Sequence, residues 1–421
     1  MSKSPKPAAQ PVGNVFRFNL TGLILFSLAL MAGGAFIAYK LAMNNQPKLK
    51  EVFAVDPKDK SRSVRVGPWG ELIVRDIKLG RPAEFLTAEV ATPPPETWTF
   101  NGMKPEAVKA LLVKHGLTAA QVAAIFAPGT FTVTDAATVL KPAPEFLLSL
   151  GATTRSQLSL GLAGLGVYLY LDYPFIFPGD NFDSICADQE LHPDDVVLLK
   201  KLVYANGAAR QLSDYDTLLN LIPTLERRVT VARALSRQSA VFAALAIKPD
   251  TDIDKLASYW GSVPNVRITD IRPLMRALKN LPEGGNLSLF YVLPKFARDR
   301  LYTFPLPPQP GDPIMDCHWS TFNFSSETPD NRFNDPNYAS QFIQKNYYQI
   351  AAPALYGDIL LLINDKDEIK HSALYLADDL VFTKNGNNYR QGWMLMHIPD
   401  LLATYPANPA MKAVYMRRKT D

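Results

Sequence analysis

Asp316-Cys317-His318-Trp319, followed by Ser320-Thr321-Phe322-Asn323-Phe324, is the stretch on which the fold of this chain turns. An aspartate ahead of a short apolar run predicts a helix with Asp316 as its cap and Cys317 in its first turn. Downstream come Tyr356-Gly357-Asp358-Ile359-Leu360-Leu361 and His371-Ser372-Ala373-Leu374-Tyr375-Leu376, both with strand character. A thiol at a helix start and an imidazole on a strand are the two halves of a cysteine-nucleophile site.

Working outward, a second helix is expected over 338–350. Strands are expected at Asp358 to Ile363, Ile369 to Leu376, Leu380 to Thr383, Trp393 to His397 and Lys412 to Met416. Helices first and an antiparallel sheet second make an α+β arrangement. The proline-rich run from Pro305 to Pro313 restricts backbone angles and hydrogen bonding, so it marks a boundary and sets the last unit at 305–421.

The chemistry expected of this layout is specific. The first turn of a helix offers Cys317 the positive end of the dipole and unused backbone donors, both of which favour thiolate. His371 is placed to take the thiol proton and return it to a leaving amine. Thr383 and Asn385 share a parity on the next segment, and either orients the far nitrogen of the ring. Asn385 alternatively makes the turn with Gly386. Backbone donors around Cys317 would hold an oxyanion. Asp316, Trp319, Tyr356 and Trp393 are the candidates for substrate contact, with core packing the alternative for each aromatic ring. Packing alternatives also stand for Cys317 as a small buried hydrophobe and for His371 as a satisfied structural histidine. His318 is a second candidate base, although neighbours on a helix point apart.

The order of these features resembles the NlpC/P60-like cysteine peptidases and amidases of the papain-like superfamily. Asp316-Cys317 matches the helix-opening motif, Gly357-Asp358-Ile359-Leu360 the following strand, and His371-Ser372-Ala373-Leu374-Tyr375-Leu376 the histidine strand. The resemblance covers about residues 311 to 418 and implies Cys317 as nucleophile, His371 as base and Thr383 or Asn385 as orienting group. It implies an amide or peptide substrate, cell-wall peptides among them. His318-Trp319 stands where the family has a small Ser-Gly pair. The alternatives are an envelope binding or scaffold protein with an inactive domain, and an envelope acyltransferase.

The amino-terminal region bears on location. From Leu20 to Ala38 there is no charge, and a run of roughly 20 apolar residues suffices to cross about 30 Å of hydrocarbon. The reading is a cytoplasmic segment over 1–19 and a single transmembrane anchor over 20–43, with Lys3, Lys6 and Arg17 favouring export of the remainder to the periplasmic or extracellular side. A cleaved signal peptide is the rival. Leu158 to Phe177 is a second long apolar stretch, read mainly as buried core because it holds Asp172, Pro174 and three glycines.

Between anchor and hydrolase domain, residues 44–100 read as short strands around Gly67-Pro68-Trp69-Gly70. Residues 101–304 read as a mainly helical accessory region, including a long helix from Leu225 to Leu245 and a Thr118 cap. With 421 residues, 47% hydrophobic and 20% charged, the chain has ample core material. A net charge of +4 without a basic block makes nucleic acid a poor partner. Two cysteines, five histidines and no HExxH spacing point to no metal and no cofactor, and leave one disulfide as a possibility.

Overall fold

Gly67-Pro68-Trp69-Gly70 forms the tight turn its composition predicts, joining β1 (Arg62–Gly67) to β2 (Gly70–Leu79) with Val64 opposite Ile73. The computed structural model describes residues 62–306, 312, 315–387, 389–405 and 409–419. Beyond Leu79 the chain departs on a long excursion. Its β3 (Trp98–Asn101), β4 (Phe131–Val133) and β5 (Ala137–Leu140) form one small antiparallel sheet with β5 central. A second follows from β6 (Phe175–Pro178), β7 (Tyr204–Asn206) and β8 (Ala209–Leu212), with β8 central. Helices between these strands bury Trp98, Phe100, Leu112, Leu199 and Tyr215 in a core of their own.

The excursion closes where it opened. β9 (Gln238–Ile247) runs antiparallel along β2 with Gln238 opposite Leu79, and β10 (Gly285–Ser288) completes a sheet ordered β1-β2-β9-β10. Residues 80–237 are therefore inserted between two hydrogen-bonded neighbours.

The remaining strands are β11 (Tyr347–Ile350), β12 (Ile359–Ile363), β13 (Ile369–Ala377), β14 (Leu380–Lys384), β15 (Trp393–His397) and β16 (Lys412–Arg418). They form an antiparallel sheet ordered β11-β16-β12-β13-β14-β15. β12 reads Ile-Leu-Leu-Leu-Ile because both its faces are covered. Ile359 and Leu361 share a core with Trp319, Phe324 and Phe382, while Leu360 and Leu362 pack with Tyr375, Val381 and Met396. Each such side chain removed from water contributes on the order of 1.5–3 kcal/mol. The first of these cores also takes in Leu72, Val74, Leu245, Trp260 and Met275, so it runs across the boundary expected at residue 305.

The expected architecture is corrected in two respects. Among the described residues no helix is long and apolar enough to cross a membrane, and the anchor expected over 20–43 lies outside them, as do 1–19 and 44–61. The Leu158 to Phe177 stretch breaks into the end of a helix, a short turn of helix and β6, as its glycines and Pro174 require. Helices make up most of the regular structure of the middle, which also contributes seven strands, β4 to β10. The helix expected from Leu225 to Leu245 stops at Leu235, and the buried apolar run that follows becomes β9. A continuous apolar run satisfies either a buried helix or a strand covered on both faces, and pairing with β2 decides for the strand. Local capping signals were more dependable: Thr118 makes a reciprocal capping box with Gln121, and Asp252 accepts from the backbone of Asp254 and Lys255.

Candidate active site

Cys317 opens the helix Cys317–Phe322, and Asp316 caps it by accepting from the Trp319 N–H at 2.7 Å. The helix lies against β13 and β14, which carry the other members of the site. His371 near the start of β13 and Thr383 near the end of β14 are both fully enclosed. His371 Nε2 and Thr383 Oγ1 are 2.8 Å apart, and the threonine hydroxyl donates to Asn385 Oδ1 at 3.3 Å. Because that hydroxyl spends its proton on Asn385, it accepts from Nε2–H, which places the proton of the neutral ring on Nε2. The basic nitrogen is therefore Nδ1. Cys317, His371, Thr383 and Asn385 come together from three separate segments, and the two orienting candidates act in series.

Burial pushes the Cys317 thiol up, but the charges of His318 and His371 and a hydrogen bond from each ring outweigh it, holding the group well below the ordinary thiol range. Both cysteines are free thiols.

Three neighbours, His318, Tyr405 and Lys384, escaped the sequence reading or were set lower in it. His318 shares the sulfur with His371. Its Nδ1 lies 2.9 Å from Ser372 Oγ, so β13 draws the ring back toward its neighbour despite the divergence expected on a helix. Burial lowers the His318 pKa, yet the Cys317 charge and hydrogen bond, with Asp316 behind them, carry it up to about 9. Tyr405, beyond the last helix, sets its hydroxyl 2.7 Å from His371 Nδ1 and its ring 4.7 Å from the imidazole. Lys384 is 1% exposed, donates to the Gly386 carbonyl at 3.0 Å and stands 6.0 Å from the Trp393 ring. Burial brings its ammonium down to about 8 against the opposing pull of Cys317 and Asp316. The adjacent Cys317-His318 pair was visible in the sequence. Nothing local marked Tyr405 or Lys384.

The expected substrate contacts fall elsewhere. Trp319, Tyr356 and Trp393 are buried, and each satisfies its polar atom inside the protein, on Asn331 Oδ1, the Val292 carbonyl and Ser320 Oγ respectively. As groove walls they are corrected to core side chains. The Asp316 carboxyl caps the helix, and burial, reinforced by the Cys317 charge, raises its pKa. Gly357-Asp358 is a structural corner: Gly357 has φ +96°, and Asp358 accepts from the Leu355 N–H and from two nitrogens of Arg417. No protein-family model, curated protein or solved structure matches the chain.

Proposed function

We propose that this chain is a cysteine-dependent hydrolase of amide or peptide bonds, with Cys317 as nucleophile and His371 as the proton carrier. The observation that carries this reading is the buried thiol at a helix start facing a ring whose opposite nitrogen is held by Thr383 at 2.8 Å. The thiol proton passes to His371, and the sulfur attacks the carbonyl carbon. The C–N bond breaks as the imidazolium protonates the leaving nitrogen, leaving a thioester on Cys317. His371 then takes a proton from water, hydroxide attacks, and the C–S bond breaks to return thiolate and imidazolium. His318 supplies a positive charge that favours the ionised sulfur. The Cys317 N–H, in the first turn, is a donor for the oxyanion.

Cell-wall peptide fragments are the first substrates to assay, with Cys317→Ala as the control. Loss of cleavage in the variant is the expected result, and unchanged cleavage refutes the assignment.

One observation favours a second reading, a binding domain without catalysis. The Tyr405 hydroxyl occupies the nitrogen that must receive the thiol proton, and Cys317 is only 5% exposed. Failure of a small neutral electrophile to modify Cys317 in the native protein at pH 7 would support that reading.

A further inference from the structure

A cleft of about 750 Å³ borders the candidate site, a volume ordinary for a small-molecule or short-peptide seat. Tyr405 belongs to both places, since it lines the cleft and bonds His371. The inserted segment supplies part of the facing wall through Asp172 and Asp180, and Asp76 and Asp400 complete a set of four carboxylates. Two cations, Lys78 and Arg237, also line it, so the formal balance of four against two is negative. Both cations are already engaged: Lys78 donates to Asn181 and Ser239, and Arg237 pairs with Asp188, which is not part of the lining. Asp180 and Asp400 make no side-chain hydrogen bond or ion pair among the described residues. Gln238 Oε1 is a buried acceptor in the same wall without a partner among them. Asp76 is likewise paired with His397 and Asp172 accepts from the Gly164 N–H, so what remains for a ligand is the Asp180 and Asp400 carboxylates and the Gln238 acceptor. Donors and cations fit these groups, and anions do not.

We propose that this cleft seats the acyl donor and selects a segment bearing an ammonium group, with Tyr405 as the partition that must turn aside for the carbonyl to reach Cys317. The inference rests on the hydrolase reading and adds the substrate's charge to it. Neither the acidic lining nor the volume would suffice alone. Their placement against the ring that holds His371 is what links them to the sulfur.

Thiol modification tests the route without any knowledge of the natural substrate. In full-length Cys186→Ser protein, Cys317 is treated with three methanethiosulfonates, one carrying an ammonium, one a sulfonate and one only a methyl group. In each, thiolate attacks the sulfenyl sulfur and expels methanesulfinate, and mass spectrometry gives the rate at Cys317. The charges of His318 and Lys384 act equally in all variants, so the informative quantity is the change in the ammonium-to-sulfonate rate ratio. Asp180→Asn combined with Asp400→Asn is expected to lower that ratio about fivefold or more, from a screened coulombic effect of two carboxylates on reagents of opposite sign. The neutral reagent's rate should stay constant, which also reports an intact fold. Tyr405→Ala is expected to raise all three rates at least about tenfold. An unchanged ratio in the double variant, with Cys317 still modified by the neutral reagent, overturns the cleft inference and leaves the nucleophile standing. Absence of modification by every reagent, in Tyr405→Ala as well, overturns the nucleophile itself.

Discussion

Replacing His318 by asparagine removes one of the two positive charges on the Cys317 sulfur while keeping a polar side chain opposite Ser372. The size of the effect follows from the pair itself. The ring is raised from 6.5 to about 9, a shift of about 2.5 units held mainly by the thiolate and achieved against burial. At 1.36 kcal/mol per unit that is roughly 3 kcal/mol of mutual stabilisation. Coupling is reciprocal, so the thiol should lose a comparable amount, and its titration should move up by about two units toward the ordinary range near 8.5. The sign follows directly. With His318 present, thiolate persists to lower pH. Without it, protonation of the sulfur begins at higher pH. The assay is the pH dependence of iodoacetamide alkylation of Cys317 in Cys186→Ser protein. Restricted access scales the rate at every pH but leaves the midpoint alone, so burial does not obscure the result. A midpoint that rises by about two units is expected. An unmoved midpoint, or a parent protein that already titrates near 8.5, refutes the ion-pair argument.

Thr383→Val deletes the hydroxyl that accepts from His371 Nε2 and leaves both that nitrogen and Asn385 Oδ1 without their buried partner. A loss of about 1–3 kcal/mol in orienting the ring should lower hydrolysis roughly 5- to 100-fold. Thr383→Ser should recover most of the rate, whereas a structural role alone would lower the melting temperature without this pattern in kcat/KM. Asp358→Ala removes the acceptor for the Leu355 N–H and both Arg417 nitrogens at the corner before β12. Arg417 can turn to solvent, so a cost of about 2–3 kcal/mol in urea unfolding is expected rather than the larger penalty of a sealed ion pair. A change below about 0.5 kcal/mol would show the corner to be dispensable.

Much of the carboxy-terminal sheet was legible because its strands alternate or run apolar between clear turns. The expected Trp393 to His397 strand is β15, and Asp358 to Ile363 is one residue longer than β12. Helix starts were legible at Thr118 and Asp316, where a side chain satisfies its own backbone. These are local transactions within a few residues. By contrast, the strand fate of Gln238 to Ile247 depends on β2, more than 150 residues earlier, and periodicity alone could not separate it from a buried helix.

The candidate site divides along the same line. Residue types and order, a thiol at a capped helix start followed by an imidazole on a strand, were determined by the sequence, because capping and alternation are short-range. That His371 meets Thr383 rather than Asn385, that His318 turns back to the sulfur, and that Tyr405 and Lys384 arrive at all, was decided only by tertiary packing. Strand register and the enclosure of the sheet on both faces set which side chains share one small volume of low dielectric, and no window of neighbouring residues contains that information.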